Sequence, residues 1–147
     1  MWTTLNGKPI ELESFIRENV DKGYTIFIGT DSQRKRKGKR GVTFSTVIAL
    51  VKQNEHKLIQ KRMVTEKFPS LRDRLIHEAW LSLEVAQIIS PLVSEDITIH
   101  LDVNQNPKFK SGQYKNEICG FVKGFGYNYK LKPESWCASA IADYQVR

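Results

Sequence analysis

Residues 24–33, Tyr-Thr-Ile-Phe-Ile-Gly-Thr-Asp-Ser-Gln, constrain what this chain can fold into more than any other stretch. From Tyr24 to Ile28 the side chains are almost all apolar, β-branched or aromatic. Such a run suits a strand covered on both faces, and therefore one near the centre of a sheet. It closes on Asp31. An acid there is a site residue, a helix cap or a turn residue, because Asp and Ser also stop strands by hydrogen-bonding their own backbone. The other acids of the chain decide among these.

Around that strand the hydrophobic periods give the order of elements. Ile10, Leu12, Phe15, Ile16 and Val20, followed by Gly23, predict an amphipathic helix over 9–22, so residues 1–23 form a leading helix segment. After the strand at 24–30, extended runs at 42–52 and 57–66 flank Gln53-Asn54-Glu55-His56 and predict an antiparallel meander. Ser70 caps a helix that runs to about Ser90, before Pro91. Residues 96–102 alternate Ile97, Ile99 and Leu101 with Thr98, His100 and Asp102, a second strand that ends on an acid. A helix over 113–125 with Gly126 as its stop, a strand over 127–131 and a small-residue helix over 134–145 complete the chain. The expectation is an α/β domain spanning 1–147, with a mixed five-stranded sheet: the meander plus two parallel strands, and helices on its faces.

The net charge of +7 is local rather than general. Arg34, Lys35, Arg36, Lys37, Lys39 and Arg40 supply six of the 23 basic residues, and the other 17 nearly balance 16 acids. A hairpin loop of that kind is an electrostatic handle for a polyanion, or else a solvated tip. The two cysteines, Cys119 and Cys137, make no CxxC pair and have no His cluster at metal spacing, which suggests a reduced, cytoplasmic protein. No apolar stretch is long enough to cross a bilayer, so a membrane partner is not expected.

Most of the acids fall in turns or on polar helix faces; four do not. Asp31 and Asp102 each end an apolar strand, and parallel neighbours would bring both to one sheet edge, where open α/β sheets place ligands. On the 70–90 helix, with Leu71 at 0°, Glu78 falls at about −20°, within the apolar arc that runs from Val85 at about −40° through Ile89, Leu75, Ala86 and Ala79 to Leu83 at about 120°, whereas Glu84 falls at about −140° on the polar side. A carboxylate on the core stripe has to be paired, protonated or metal-bound. The pairing alternative is Arg74, one turn earlier. Asp143 shares a helix face with Trp136 and Ala140, or else lies near a fraying end. Carboxylates converging without thiolate or imidazole suit Mg²⁺ or Mn²⁺, and two such ions support phosphoryl chemistry without a protein nucleophile or an organic cofactor. His100, on the face of Asp102, is either a proton shuttle or a structural histidine.

These residues carry a resemblance. Ile28-Gly29-Thr30-Asp31-Ser32-Gln33, Ser70-Leu71-Arg72 with Glu78 and Glu84, His100-Leu101-Asp102, and Lys132-Pro133-Glu134-Ser135 followed by Ala138-Ser139 resemble the YkuK-type family of ribonuclease H-like proteins. The resemblance spans residues 24–145 and implies the ribonuclease H-like fold. From the wider superfamily it implies that the first-strand Asp, first-helix Glu, fourth-strand Asp and final-helix acid fall on Asp31, Glu78, Asp102 and Asp143 as catalytic metal ligands. The basic loop matches no family motif, and its role rests on charge alone.

Two functions follow as expectations. One is a two-metal-ion nuclease acting on RNA, an RNA/DNA hybrid or structured DNA. The other is a nucleic-acid-binding module with the same fold that cleaves nothing. A phosphatase using Asp31 as nucleophile would want a second acid two residues on, where this chain has Gln33.

Overall fold

The computed structural model describes residues 1–21, 23–34, 41–65 and 70–139. Among them lie seven strands, β1 (Trp2–Thr4), β2 (Pro9–Ile10), β3 (Thr25–Arg34), β4 (Val42–Lys52), β5 (Glu55–Thr65), β6 (Ile97–Asn104) and β7 (Asn128–Lys132), and three α-helices, α1 (Leu12–Asn19), α2 (Leu71–Ile89) and α3 (Lys115–Gly124). The strands form one mixed sheet in the order β2-β1-β5-β4-β3-β6-β7. β3, β4 and β5 pair antiparallel, while β6 and β7 run parallel to β3. No helix among the described residues is long and apolar enough to cross a membrane.

The sheet is larger than the five strands that the periodicity predicts. The addition is the N-terminal hairpin, in which Trp2 pairs with Ile10 and, across to β5, with Lys61. It also shortens the leading helix. Pro9 and Ile10 belong to an edge strand, where a missing N–H is harmless. α1 begins only after Glu11, whose side chain accepts a hydrogen bond from the Ser14 backbone N–H. β4 and β5 turn tightly at Gln53-Asn54, with Gln53 at φ 51°. At the other end the predicted helix over 134–145 does not start at Glu134. The chain turns there and makes a short 3₁₀ segment, Cys137–Ser139; residues 140–145 lie outside the described residues.

One large core fills the side of the sheet that carries the helices. Leu75, Ala79, Leu83, Ala86 and Ile89 of α2 bury against Ile26 and Ile28 of β3, Ile48 and Leu50 of β4, and Ile99 and Leu101 of β6, with Ile16 of α1 and Ile118 and Val122 of α3 at the flanks. A smaller cluster of Val47, Ala49, Leu58 and Cys137 lies apart from it. β3 is therefore covered on both faces, as its composition requires. Gly29 permits this: a Cβ there would stand 3.0 Å from the Ala138 backbone nitrogen and 3.2 Å from the Cys137 Cβ, so the segment after β7 crosses directly over the strand.

Candidate metal centre

The site arises where strand pairing breaks. The ladder between β3 and β6 runs from Ile26–Ile97 to Gly29–His100 and stops, although β3 continues on its other edge, pairing with β4 as far as Arg34. Asp31 is thus not the end of its strand, as the sequence suggests. It is the second residue past the point where β6 lets go, and Asp102 is its counterpart two residues beyond His100. β6 also loses its regular register with β7 between His100 and Asn104. Both aspartates emerge into that gap, partly exposed.

Glu78 joins them from α2. It is 4% exposed, whereas Glu84 lies on the outer, exposed face, as the helical wheel requires. Carboxylate oxygens of Asp31, Glu78 and Asp102 all lie within 4.8 Å of one another. Three like charges this close in a half-buried setting raise proton affinity. Burial is the main cause that pushes Glu78 up to about 8; the Ser32 hydroxyl lowers it by less, and the charges of Asp102 and Asp31 add smaller rises. Burial and the Asp102 charge also raise Asp31.

The surroundings fix Glu78 at one oxygen and leave the other bare. The Ser32 hydroxyl donates to Oε2 at 2.5 Å and accepts from Arg74 Nε at 3.3 Å. The alternative of an ion pair between Glu78 and Arg74 is thus met only through Ser32, which bonds both side chains. Oε1 is buried without a hydrogen-bond partner among the described residues. A buried acceptor left unpaired costs about 1–3 kcal/mol, an arrangement a cation would relieve. The donor set is three carboxylates without sulfur or imidazole, which is the preference of Mg²⁺ and Mn²⁺. The residues therefore fit a hard divalent ion.

Two further residues meet at this edge. Lys132, the last residue of β7, pairs in register with Asn104 and forms an ion pair with Asp102. Burial lowers its affinity for a proton, but Asp102, Asp31 and Glu78 outweigh that and raise it overall. His100 has a structural task. Its Nδ1 accepts the backbone N–H of Trp136 at 3.1 Å and of Cys137 at 3.0 Å, and its ring lies tilted against Phe27 and edge-on to Trp136, with centroids 4.7 and 5.1 Å away. Burial, helped by Lys130, lowers its pKa to about 4, so the imidazole is neutral near pH 7. It anchors the segment that crosses Gly29.

Asp143 and the basic residues Lys35, Arg36, Lys37, Lys39 and Arg40 lie outside the described residues, and of Arg34 only the backbone at the end of β3 is described. The sequence names Arg74 only as an ion-pair partner for Glu78, and it gives Ser32 and Lys132 no role of their own at the site. For Ser32 a signal existed: with Thr30 it puts polar groups on the face of β3 that meets α2, where Thr30 bonds Thr46 and Ser82 at 3.0 and 2.8 Å. For Lys132 there was none, because its place depends on the β6–β7 register.

A family model described as "Ribonuclease H-like" matches residues 10–147. No curated protein matches the chain. Among solved structures, that of the foamy viral protease-reverse transcriptase in complex with dsDNA is similar at 12% identity and a TM-score of 0.34, over 84% of this chain and 70% of that one.

Proposed function

Since this chain belongs to the ribonuclease H-like family, we propose that it is a divalent-metal-dependent nuclease that hydrolyses phosphodiester bonds in RNA, an RNA/DNA hybrid or structured DNA. The observation that carries the reading is the convergence of Asp31, Glu78 and Asp102, with Glu78 Oε1 buried and without a hydrogen-bond partner among the described residues. The three carboxylates would hold Mg²⁺ or Mn²⁺, with Asp143 as the proposed fourth ligand. Such ions, when bound, activate a water and stabilise the leaving oxygen. The chain's own contribution is position. Pairing with β4 holds Asp31 in place, Ser32 bonds Glu78, and the end of the β3–β6 ladder leaves Asp31 and Asp102 facing a surface depression. Within the family, the motifs at 28–33, 100–102 and 132–135 favour the YkuK-type branch.

The test is cleavage of labelled RNA, hybrid and branched DNA with and without Mg²⁺. Cleavage should require the ion and be lost in Asp31→Asn, with binding retained. Binding without ion-dependent cleavage in the parent protein would instead identify a non-catalytic nucleic-acid module.

We propose residues 34–40 as the phosphate-binding loop. Each cation that meets a phosphate releases counter-ions and contributes about 0.9 to the slope of log K against log salt. Replacing the six basic residues with serine should weaken binding at low salt and flatten that slope by several units. An unchanged slope would mean that the loop is only a solvated tip.

A further inference from the structure

Among the described residues, Lys132 is the cation that forms an ion pair with the acid cluster, and the nuclease reading gives it no task. Its ammonium pairs with Asp102, which is also one of the three carboxylates that converge. It reaches that place from a different strand, β7, at the point where pairing with β6 resumes at Asn104. It lines the same surface depression as Asp31, Asp102 and Ser135. Its side chain is half exposed, so the head can swing on its four-carbon stem without disturbing the core.

An ammonium and a divalent cation that seek the same carboxylate oxygen exclude each other, by space and by like charge. The partly exposed lysine pair is the weaker of the two, because long side chains gain little from such contacts. Three carboxylates around a divalent ion gain much more. We propose that Lys132 is the internal counter-ion of this site: it sits on Asp102 while no divalent ion is bound, leaves when one binds, and then turns to a phosphate of the nucleic acid. The inference rests on the metal-dependent reading above. Lysine suits both positions, since its three donors form a point charge that serves a carboxylate or a phosphate equally.

Calorimetric titration with Mn²⁺ of the parent protein, Lys132→Met, Lys132→Arg and Asp31→Asn tests this without any turnover. Lys132→Met should bind Mn²⁺ more tightly by up to about fivefold, the value of one lost competing pair, and Lys132→Arg should stay within about twofold of the parent because it keeps the charge. Lys132→Met should also melt lower than the parent in EDTA and recover in Mn²⁺. In Ca²⁺, a short labelled RNA/DNA hybrid should bind several-fold more weakly to Lys132→Met than to the parent, and without any divalent ion the two should bind alike. Lys132→Gln repeats the comparison should the methionine variant fail to fold.

Mn²⁺ affinity that is unchanged or weaker in Lys132→Met, while Asp31→Asn loses binding, overturns this inference and leaves the metal centre standing. Mn²⁺ binding that survives Asp31→Asn removes the metal centre and the counter-ion together. Hybrid binding in Ca²⁺ that ignores Lys132 overturns its turn toward phosphate.

Discussion

Glu78→Gln should lower divalent-dependent cleavage on the order of 10³-fold, by removing a charged ligand from the reacting centre, and should leave the metal-free protein at least as stable as the parent at pH 7. The second half follows from burial. Glu78 is 4% exposed and its pKa is pushed up to about 8, so near pH 7 it is already largely protonated and a neutral amide of equal size fits the same place. The amide can still accept from Ser32. Mn²⁺ should then raise the melting temperature less than in the parent, since ligand stabilisation follows site affinity. Glu84→Gln, six residues along on the exposed face of α2, is the matched control and should alter none of these. Melting curves with and without Mn²⁺ for both variants decide the matter. A fall in metal-free stability for Glu78→Gln would show that the relay through Ser32 to Arg74 stabilises the fold as an ion pair. A Mn²⁺ shift lost in Glu84→Gln instead would reverse the assignment of the helix face.

Metal-free stability should also fall as pH rises, and Glu78 sets the window. A carboxyl with an ordinary value of 4.5 that is raised to about 8 in the folded state binds a proton more tightly folded than unfolded. Below about 4.5 the carboxyl is protonated in both states and its contribution is fully present. Between about 4.5 and 8 that contribution is lost, at up to about 1.4 kcal/mol per pH unit. Above 8 no more is lost. The raised Asp31 adds to the slope in the same direction. Denaturant titrations from pH 5 to 9 should show this decline in the parent and a much flatter profile in Glu78→Gln. Mn²⁺ binding should show the converse, releasing protons below pH 8 and tightening as pH rises, because the ligands bind as carboxylates. A parent protein whose stability is flat over this range would mean that Glu78 is ionised and compensated in the fold.

Much of the site was legible in the sequence, since it depends on two short periods. The apolar run at 24–28 put β3 in the interior of the sheet, and the 3.6-residue period separated Glu78 from Glu84. What stayed hidden depends on pairing between distant segments. Trp2–Thr4 is too short to show a period and is a strand only because β5 offers it an edge. The segment after Pro133, rich in small residues, looks helical, but His100 takes the N–H groups of Trp136 and Cys137 in another direction. The place of Lys132 depends on a register break that no local pattern encodes. From the sequence, Asp31 looks like a strand end for a similar reason. Asp-Ser often stops strands, and only the ladder shows that β3 loses one neighbour there while keeping the other.

Asp31, Glu78 and Asp102 should act together as one metal centre. Crystals of the protein soaked in Mn²⁺, with diffraction recorded for the anomalous signal of manganese, test it most directly. An anomalous peak is expected within coordinating distance of oxygens from all three residues, absent from crystals of Asp31→Asn. A peak elsewhere on the chain, or none at this cluster at millimolar Mn²⁺, would contradict it.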